Sequence, residues 1–355
     1  MLAGHGLQLT LLPLKAETLG WSLSAIGLTG SAYYLGFLIG CFSVPALIRR
    51  VGHIRAFAVF VAVATMALVG AGLADEYLFW LLFRFATGWA LAGFYTTIES
   101  WLNDQVRNSE RGTVLALYTI ISLGAMVVGQ ILIQLDAFTL EELFPLGALV
   151  LVAATLPIAL TSRPQPVTPE GVRFNWRTVF EASQVGVVVS AVSGLIMGLL
   201  WSVGAVYASQ LSGSRETGAA FIAMVILGGL VFQFPVGRLS DSFDRRWILL
   251  GLAFVGLLGA CLWLVHPLTG AWLYAAGFLC GAAAMPMYSV SIAHANDNAN
   301  GKFLEIASGM LMANAIGAVA GPFLYAGGRM AGVPQALMAI IALAFAIGII
   351  WTALR

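Results

Sequence analysis

The sequence is dominated by apolar runs of about 20 residues, separated by short polar or Gly/Pro-rich breaks. Because about 20 apolar residues cross the roughly 30 Å hydrocarbon core of a bilayer as a helix, each run is a candidate membrane-spanning helix. Hydrophobic residues make up 60% of the chain and charged residues 9%, whereas soluble proteins average about 45–50% and about 25%. The eleven complete runs are Ser24–Leu47, Ala56–Ala74, Tyr77–Leu102, Thr113–Leu135, Leu143–Ala159, Gln184–Ala208, Gly218–Pro235, Trp247–Val265, Ala271–Ala293, Ile306–Gly327 and Pro334–Leu354.

These runs leave only short loops, which excludes several classes of protein. Eleven runs of roughly 20 residues occupy about 220 positions, so no soluble catalytic domain fits. The sequence has no P-loop and no Cys-x-x-Cys pair, and its four histidines are scattered. We therefore expect a protein that is not an enzyme and that needs no cofactor and no metal. A formal charge of +1 without a long basic block also argues against nucleic acid as a partner.

The first segment, Met1 to Leu14, is too short to cross a membrane alone. At 1.5 Å per residue it reaches only about 21 Å before Lys15. It also lacks the basic start and the small-residue cleavage site of a signal peptide. We expect this numbering to begin inside the first helix of a twelve-helix protein, so that the first helix is incomplete. A removable leader is the alternative.

Two segments of the chain match each other at an offset of 193 residues. Tyr95–Asp104 lies over Tyr288–Asp297, with a tyrosine at one end of each and Asn-Asp at the other. In the same register the paired glycines are Gly88 with Gly281 and Gly124 with Gly317. The match indicates an internal repeat. Parallel six-helix halves related in this way are the plan of a transporter that rocks about a site at the membrane midplane.

A stretch rich in Pro and Arg, from Thr161 to Glu181, separates the two halves and is typical of a linker. We predict an N-terminal six-helix half at 1–162, a linker at 163–181 and a C-terminal six-helix half at 182–355. The linker lies on the side whose loops hold thirteen Lys and Arg residues, against three on the other side. The side richer in Lys and Arg faces the cytoplasm. We therefore expect a multi-pass protein of the bacterial inner membrane with a cytoplasmic linker.

Ionisable residues inside spans cost about 2.5–3.5 kcal/mol at a helix centre on insertion scales, so each needs a reason. At 100° per residue, Gly88, Tyr95 and Glu99 lie about 40°, 20° and 60° around the fourth helix from Arg84, and all four share one face. The functional interpretation is that this face lines a central cavity, where Arg84 attracts anionic or hydrogen-bonding substrate groups and Glu99 takes up and releases a proton. The alternative is that Arg84 reaches the membrane interface and Glu99 pairs with a loop arginine.

Four residues outside this face are further candidates for the substrate or proton pathway. His5 and Gln8 are three apart and share a helix face, with His5 either a proton carrier or a group bonded to neighbouring backbone. Trp201 is either a substrate contact or an interfacial tryptophan. Tyr288, the repeat mate of Tyr95, either faces Tyr95 across the pseudo-twofold axis and contacts substrate or packs in the core.

Several motifs resemble the major facilitator superfamily. The loop Gly237–Arg246 looks like the superfamily signature G-x-L-x-D-x-x-[GD]-R-[KR], and Arg84-Phe-Ala-Thr-Gly88 resembles its fourth-helix pattern R-x-x-x-G. Gly52-His-Ile-Arg55 and the run from Gly88 to Asn103 are most similar to the bacterial YcaD-like branch. The similarity covers nearly the whole chain.

The resemblance also defines candidate gating loops between the second and third helices of each half. Where the superfamily has an acidic residue in the first-half loop, this chain has Arg49. A latch carried over from the family therefore depends on Asp241 alone. The gating-loop candidates are Arg49, Arg50, Gly52, Arg55, Gly237, Asp241, Asp244, Arg245 and Arg246.

The resemblance implies the major facilitator fold and a secondary transporter that alternates between outward-open and inward-open states. The embedded Arg84 and Glu99 favour proton coupling. An apolar, aromatic-rich chain with few cavity charges suits a small neutral, amphipathic or mono-anionic organic substrate, and the resemblance implies a monomer in the lipid bilayer. Two alternatives stay open. One is a uniporter of the same fold in which Glu99 is structural, and the other is a non-transporting assembly or receptor protein built on a transporter scaffold.

Overall fold

The chain is helical throughout the part that the structure describes. A computed structural model describes residues 1–105, 111–135, 137–160, 175–265, 270–298, 302–333 and 335–355, and no strand occurs among them. The helices up to residue 160 are α1 (Leu2–Thr18), α2 (Leu23–Val51), α3 (His53–Leu73), α4 (Tyr77–Gln105), α5 (Arg111–Gln134), α6 (Leu140–Ala153) and α7 (Thr155–Ala159).

The remaining helices follow the predicted linker, of which residues 163–174 lie outside the described residues. They are α8 (Trp176–Ala182), α9 (Gln184–Leu199), a π-helical turn (Leu200–Gly204), α10 (Ala205–Ser212), α11 (Arg215–Ser242), α12 (Arg245–Val265), α13 (Ala271–Asn296), α14 (Phe303–Met330) and α15 (Ala336–Leu354). The short helix α8 lies in the last part of the linker and is capped by the Asn175 side chain, which accepts a hydrogen bond from the backbone N–H of Arg177.

Among the described residues, eleven helical stretches are long and apolar enough to cross a membrane. They coincide with the eleven runs predicted from the sequence, and the all-helical membrane fold is therefore confirmed. The 17-residue helix α1 is not among the eleven. Two of the stretches are composite: one joins α6 and α7, and the other joins α9, the π-helical turn and α10.

Local chemistry explains where α6 begins and ends. The Thr139 hydroxyl accepts a hydrogen bond from the backbone N–H of Glu142, and the Glu142 carboxylate accepts one from the N–H of Thr139, so the two residues form a capping box. Pro157 has no N–H to bond the carbonyl of Ala153. The helix therefore breaks at Ala154 and resumes as α7.

The described residues fall into two compact units. The first combines Met1–Lys15 with the described residues from Ala32 to 160, and the second combines Ala16–Ser31 with those from 175 to Arg355. Helix α2 thus changes unit between Ser31 and Ala32. The predicted boundaries of the two halves and the linker stay a prediction.

Polar contacts explain why Ala16–Ser31 belongs to the second unit. Glu17 accepts hydrogen bonds from Ser209 Oγ at 3.2 Å and from Gln210 Nε2 at 2.8 Å. Further along, Ser31 Oγ donates to the carbonyl oxygen of Val319 at 3.0 Å. A glycine, Gly30, allows close approach, because an added Cβ there would meet the Ser202 side chain.

Each unit contains the same close contact between two of its helices. In the first unit, a Cβ added to Gly88 of α4 would lie 1.8 Å from the carbonyl oxygen of Tyr33 in α2. In the second unit, a Cβ added to Gly281 of α13 would lie 1.9 Å from the carbonyl oxygen of Val225 in α11. The two contacts occupy matching positions, with offsets of 193 and 192 residues, so the packing follows the repeat seen in the sequence.

The other glycine pair of the repeat differs from the sequence alignment. A Cβ added to Gly317 would lie 1.9 Å from the carbonyl oxygen of Ala191, whereas Gly124 has no atom within 4 Å. The matching contact in the first unit is made by Gly129, whose added Cβ would lie 2.3 Å from the carbonyl oxygen of Ala3. By packing, Gly317 therefore corresponds to Gly129, at an offset of 188, and not to Gly124. The offset falls because 41 positions separate Gly88 from Gly129 in the first unit, whereas 36 separate Gly281 from Gly317 in the second.

A buried amide joins α1 to α5 in the first unit. Gln130 accepts a hydrogen bond from Thr10 Oγ1 at 2.7 Å, and its Nε2 donates to the carbonyl oxygen of Gly6. Both polar side chains are fully buried. Because an unbonded amide is costly in an apolar bundle, these two bonds fix the register of α1 against α5.

Candidate functional site

The polar face of α4 packs along α2 within the first unit. The Arg84 guanidinium carbon lies 4.7 Å from the centre of the Tyr33 ring, over its face. Further along, the rings of Tyr95 and Phe37 meet edge to face at 6.4 Å. Between these contacts, Gly88 lets the two backbones touch. Three of the four residues predicted to share a face of α4 therefore contact α2.

Arg84 is a buried cation. Its side chain lies about 10 Å into α4 from Tyr77, and only 4% of the residue is exposed. Among the ion pairs formed by the described residues, none includes Arg84. Its Nε also has no hydrogen-bond acceptor in that part of the chain. The guanidinium is therefore held by an aromatic face and lacks a counter-ion.

Aromatic residues from α1 and α2 surround this cation. The His5 and Tyr33 rings are stacked, with centroids 5.9 Å apart and an angle of 16°. Tyr34 meets Tyr33 edge to face at 4.8 Å. Both His5 and Tyr34 lie close enough to Arg84 to interact with its charge. One turn along α1 from His5, Gln8 is 2% exposed and its Oε1 has no donor among the described residues.

Glu99 lies at the other end of the α4 face. It is fifteen residues from Arg84, which is about 22 Å along the helix, so the structure does not bring the two charges together. Glu99 is exposed, and its carboxylate lies close enough to Tyr95, Cys41 and Tyr118 to interact with them electrostatically. The face of α4 therefore carries an enclosed cation at one end and an accessible carboxylate at the other.

Two of the predicted residues lie in the second unit. Trp201 is half-buried in the π-helical turn that joins α9 to α10. Such turns frequently occur at functional sites, and the apolar pattern of residues 184–208 does not indicate this one. Tyr288 is half-buried in α13, beside Ser289, whose hydroxyl accepts a hydrogen bond from Gln233 Nε2 at 2.7 Å. The proposed roles of both residues in substrate contact stay predictions.

The first gating loop is a single residue. Gly52 separates α2 from α3 with a φ of 82°, a backbone conformation that favours glycine. Arg49, Arg50 and Arg55 are exposed around it. The two arginines that end α2 stand where a positive charge interacts favourably with the helix dipole. This accounts for cations at the position where the superfamily pattern has an acid.

The second gating loop is held by ion pairs inside the second unit. Arg245 contacts Asp297 at 2.8 Å and Asp241 at 3.6 Å. Asp244 accepts a hydrogen bond from the backbone N–H of Arg246 and so caps α12. At Gly237, an added Cβ would meet no atom within 4 Å. Asp241, the residue expected to act as a latch, is therefore paired with an arginine of its own loop.

An open cavity of about 470 Å³ lies at this second loop. Charged and polar groups line it, among them Asp241, Arg246 and His294. All of its lining residues belong to the second unit. The cavity therefore lies at the second candidate gating loop.

The structure joins two of the motifs that carry the family resemblance. His53, which follows Gly52, is fully buried, and its Nε2 lies 3.1 Å from Ser100 Oγ in α4. The His53 ring also contacts Trp101, with ring centres 6.2 Å apart. The loop after α2 is thereby attached to the inner end of the α4 face, one residue beyond Glu99.

Sequence reasoning missed the α2 side of the site. Tyr33, Tyr34 and Phe37 were not among the predicted residues, although each contacts a predicted residue or its neighbour. The available signal was the spacing of Tyr33, Phe37 and Cys41, which are four apart and therefore share a helix face.

Helices of this length, an internal repeat and a polar face on a buried helix are typical of a membrane transport protein. The model of the Major Facilitator Superfamily matches residues 1–322, and the chain belongs to that family. The MFS-type transporter YcaD of Escherichia fergusonii is 26% identical over 300 residues, which cover 84% of this chain and 78% of that protein. YcaD of Salmonella heidelberg is 25% identical over 316 residues, with coverage of 88% and 82%.

Solved structures show the same fold. A variant of the nucleoside transporter NupG superposes with a TM-score of 0.82 at 12% identity, covering 99% of this chain and 97% of that one. A variant of the E. coli fucose:proton symporter FucP gives a TM-score of 0.60 at 16% identity, with coverage of 100% and 97%. At these identities the likeness shows the fold alone. The expected membership of the superfamily and the similarity to YcaD are confirmed.

Proposed function

We propose that this protein is a secondary active transporter that moves a small organic molecule across the bacterial inner membrane by alternating access, coupled to protons. The observation that supports this most strongly is the face of α4. It carries a buried arginine at one end and an accessible carboxylate at the other. Membership of the superfamily and a fold shared with NupG and a fucose:proton symporter agree with the proposal.

In this proposal the two charges have separate tasks. Arg84 holds a polar or anionic group of the substrate, and Glu99 takes up a proton in one state and releases it in the other. A membrane potential contributes about 2.3 kcal/mol per elementary charge per 100 mV, so moving one proton with the substrate is enough to drive accumulation. The protein acts as a monomer in the bilayer, with the linker in the cytoplasm. Tyr95 and Tyr288, together with His5, Gln8 and Trp201, are the remaining candidates for the pathway.

The test distinguishes proton coupling from substrate binding. Thermal unfolding of the purified protein against a library of metabolites and drugs, at pH 5.5 and 7.5, selects a ligand, which is then labelled as tracer. Wild-type protein in proteoliposomes should accumulate the tracer when a pH gradient is imposed. Glu99→Gln should lose that accumulation but keep exchange of tracer for unlabelled ligand, because exchange needs no net proton movement.

Glu305→Gln is the matched control, because it neutralises a half-buried carboxylate in α14 that is not on the α4 face. It should behave like the wild type. Accumulation by Glu99→Gln, driven by pH alone, would contradict proton coupling through this residue. Exchange that is independent of pH in the wild type would identify a uniporter. A protein with no ligand-dependent stabilisation and no flux, but with a stable membrane partner, would identify the assembly or receptor alternative.

A further inference from the structure

Arg84 is the one strongly buried charge on α4 whose neutralising partner is missing. By contrast, ion-paired cations of the described residues, such as Lys15 and Arg245, lie within 3.0 Å of a carboxylate oxygen. Arg84 contacts an aromatic ring on one side and has no carboxylate within ion-pair distance in the described part of the chain. Buried charges in proteins are normally paired or hydrogen-bonded, because an unpaired one is strongly destabilising. The site therefore lacks an anion.

The geometry of Arg84 suits a planar partner. One face of the guanidinium is covered by Tyr33, and its Nε–H has no acceptor among the described residues. A guanidinium presents its N–H groups in the plane of the fork, where a carboxylate accepts two parallel hydrogen bonds. Stacking on Tyr33 restricts the orientation of that plane. The edge of the fork therefore carries an N–H without an acceptor in the described part of the chain, while one face of the guanidinium is covered.

The second unit shows that the fold does not require this charge. The repeat offset of 193 places Gly277 at the position equivalent to Arg84. There the ring of Phe221 fills the space, because a Cβ added to Gly277 would lie 2.6 Å from it. The same helix pair is therefore built with an aromatic ring against a glycine in one unit and with an arginine against Tyr33 in the other. The second unit forms this helix pair without a charge. The presence of Arg84 in the first unit therefore points to a ligand there.

We propose that Arg84 binds the carboxylate of an organic monocarboxylate, which is the substrate of the transporter. The rings of Tyr33, Tyr34 and His5 provide the apolar walls for its carbon skeleton. Gln8, whose buried Oε1 has no donor in the described part of the chain, accepts a hydrogen bond from a hydroxyl or amine of the same molecule. Arg84 is the single cation of this cluster, so the site takes one negative charge. The inference rests on the proposed function and specifies its substrate class.

Pairs of a carboxylate and its neutral amide test whether the site requires a negative charge on the ligand. The full chain in detergent is melted with a panel of aliphatic, hydroxy-substituted and aromatic monocarboxylates, each beside its amide, and with chloride and sulfate. Carboxylates should raise the melting temperature and bind measurably, whereas their amides should not. Arg84→Gln should weaken binding of the best carboxylate about tenfold or more, since a hydrogen bond to a charged group is lost. Arg84→Lys should recover part of that loss, because it keeps the charge without the planar fork.

Arg238→Gln is the matched control. Arg238 also stacks on an aromatic ring, with its guanidinium carbon 5.4 Å from the centre of Phe234, but it is exposed. Its loss should leave carboxylate binding unchanged. Stabilisation by chloride or sulfate equal to that by carboxylates would show a general anion site and overturn the substrate assignment. Equal stabilisation by amides, or none by any carboxylate of the panel, would overturn it as well.

A second readout distinguishes a ligand site from a structural role. Without ligand, Arg84→Gln should melt at the same temperature as the wild type or higher, because it removes an uncompensated buried charge. A lower melting temperature without ligand would show that Arg84 stabilises the fold, which overturns the proposal. Flux of a neutral or cationic tracer without carboxylate binding would defeat this inference and leave the transport proposal standing. Carboxylate binding without any flux would support the carboxylate site and contradict the transport proposal.

Discussion

Gly88→Ala tests whether close packing of α4 on α2 positions the Arg84 site. An added Cβ would lie 1.8 Å from the carbonyl oxygen of Tyr33, and real Cβ contacts are essentially never shorter than 3.0 Å. The two backbones must therefore separate by about 1.2 Å, since the blocking atom belongs to the main chain. That separation takes the guanidinium of Arg84 from 4.7 Å to about 6 Å from the Tyr33 ring, the limit of a cation–π contact.

Gly88→Ala should lower the stability of the protein moderately and should weaken its binding of the carboxylate. Overpacking typically costs about 1–3 kcal/mol, and replacing glycine by alanine in a helix returns about 0.5–1 kcal/mol, so we expect a net loss of about 1–2 kcal/mol. Thermal unfolding with and without a monocarboxylate measures both effects. The variant should melt a few degrees lower than the wild type and bind the carboxylate more weakly.

Two glycines provide the controls for Gly88→Ala. Gly281→Ala places a Cβ 1.9 Å from the carbonyl oxygen of Val225 in the second unit, so it should destabilise to a similar extent while carboxylate affinity stays unchanged. Gly124→Ala meets no atom within 4 Å and should be neutral or stabilising by up to about 1 kcal/mol. Wild-type stability and affinity in Gly88→Ala would refute the packing argument. An equal loss of affinity in Gly281→Ala would refute the assignment of the site to the first unit.

Two further predictions concern polar contacts of the two units. Gln130→Leu removes the hydrogen bonds to Thr10 and to α1 backbone and should destabilise by about 1–2 kcal/mol in thermal unfolding, whereas Gln134→Leu, which loses one bond inside its own helix, should cost less. If both variants lose the same stability, the hydrogen bonds between α1 and α5 are not the cause of the loss. Asp297→Asn breaks the partly exposed pair with Arg245 and should cost under about 1 kcal/mol at low salt. That cost should vanish in high salt, and a larger cost that persists there would contradict a surface ion pair.

The sequence predicted the membrane spans well because their signal is local. Each span is a run of apolar residues long enough to cross a bilayer, and length and hydropathy alone define it. The internal repeat was also detectable, since Gly88 and Gly281 are both required for close backbone contact. The pairing of Gly124 with Gly317 in the sequence alignment does not hold in the packing. Helix packing pairs Gly317 with Gly129, at an offset of 188. An alignment at the single offset of 193 cannot show this pairing.

The candidate site was predictable on one helix and not on its neighbours. Helical periodicity alone placed Arg84 and Glu99 on one face of α4. The partners of that face in α2, Tyr33 and Phe37, depend on which helices pack together, and periodicity within one helix carries no such information. The absence of a counter-ion for Arg84 in the described residues is likewise a property of the packed structure. The proposal of an organic monocarboxylate as substrate rests on this property.

The most direct test of the account is uptake of the best-binding monocarboxylate into proteoliposomes under an imposed pH gradient. The account predicts accumulation by the wild type and by Arg238→Gln, and none by Arg84→Gln at the same protein density. Accumulation by Arg84→Gln equal to that of the wild type would contradict the role given to the α4 face. A wild-type protein that binds the carboxylate but never moves it would contradict the transport function itself.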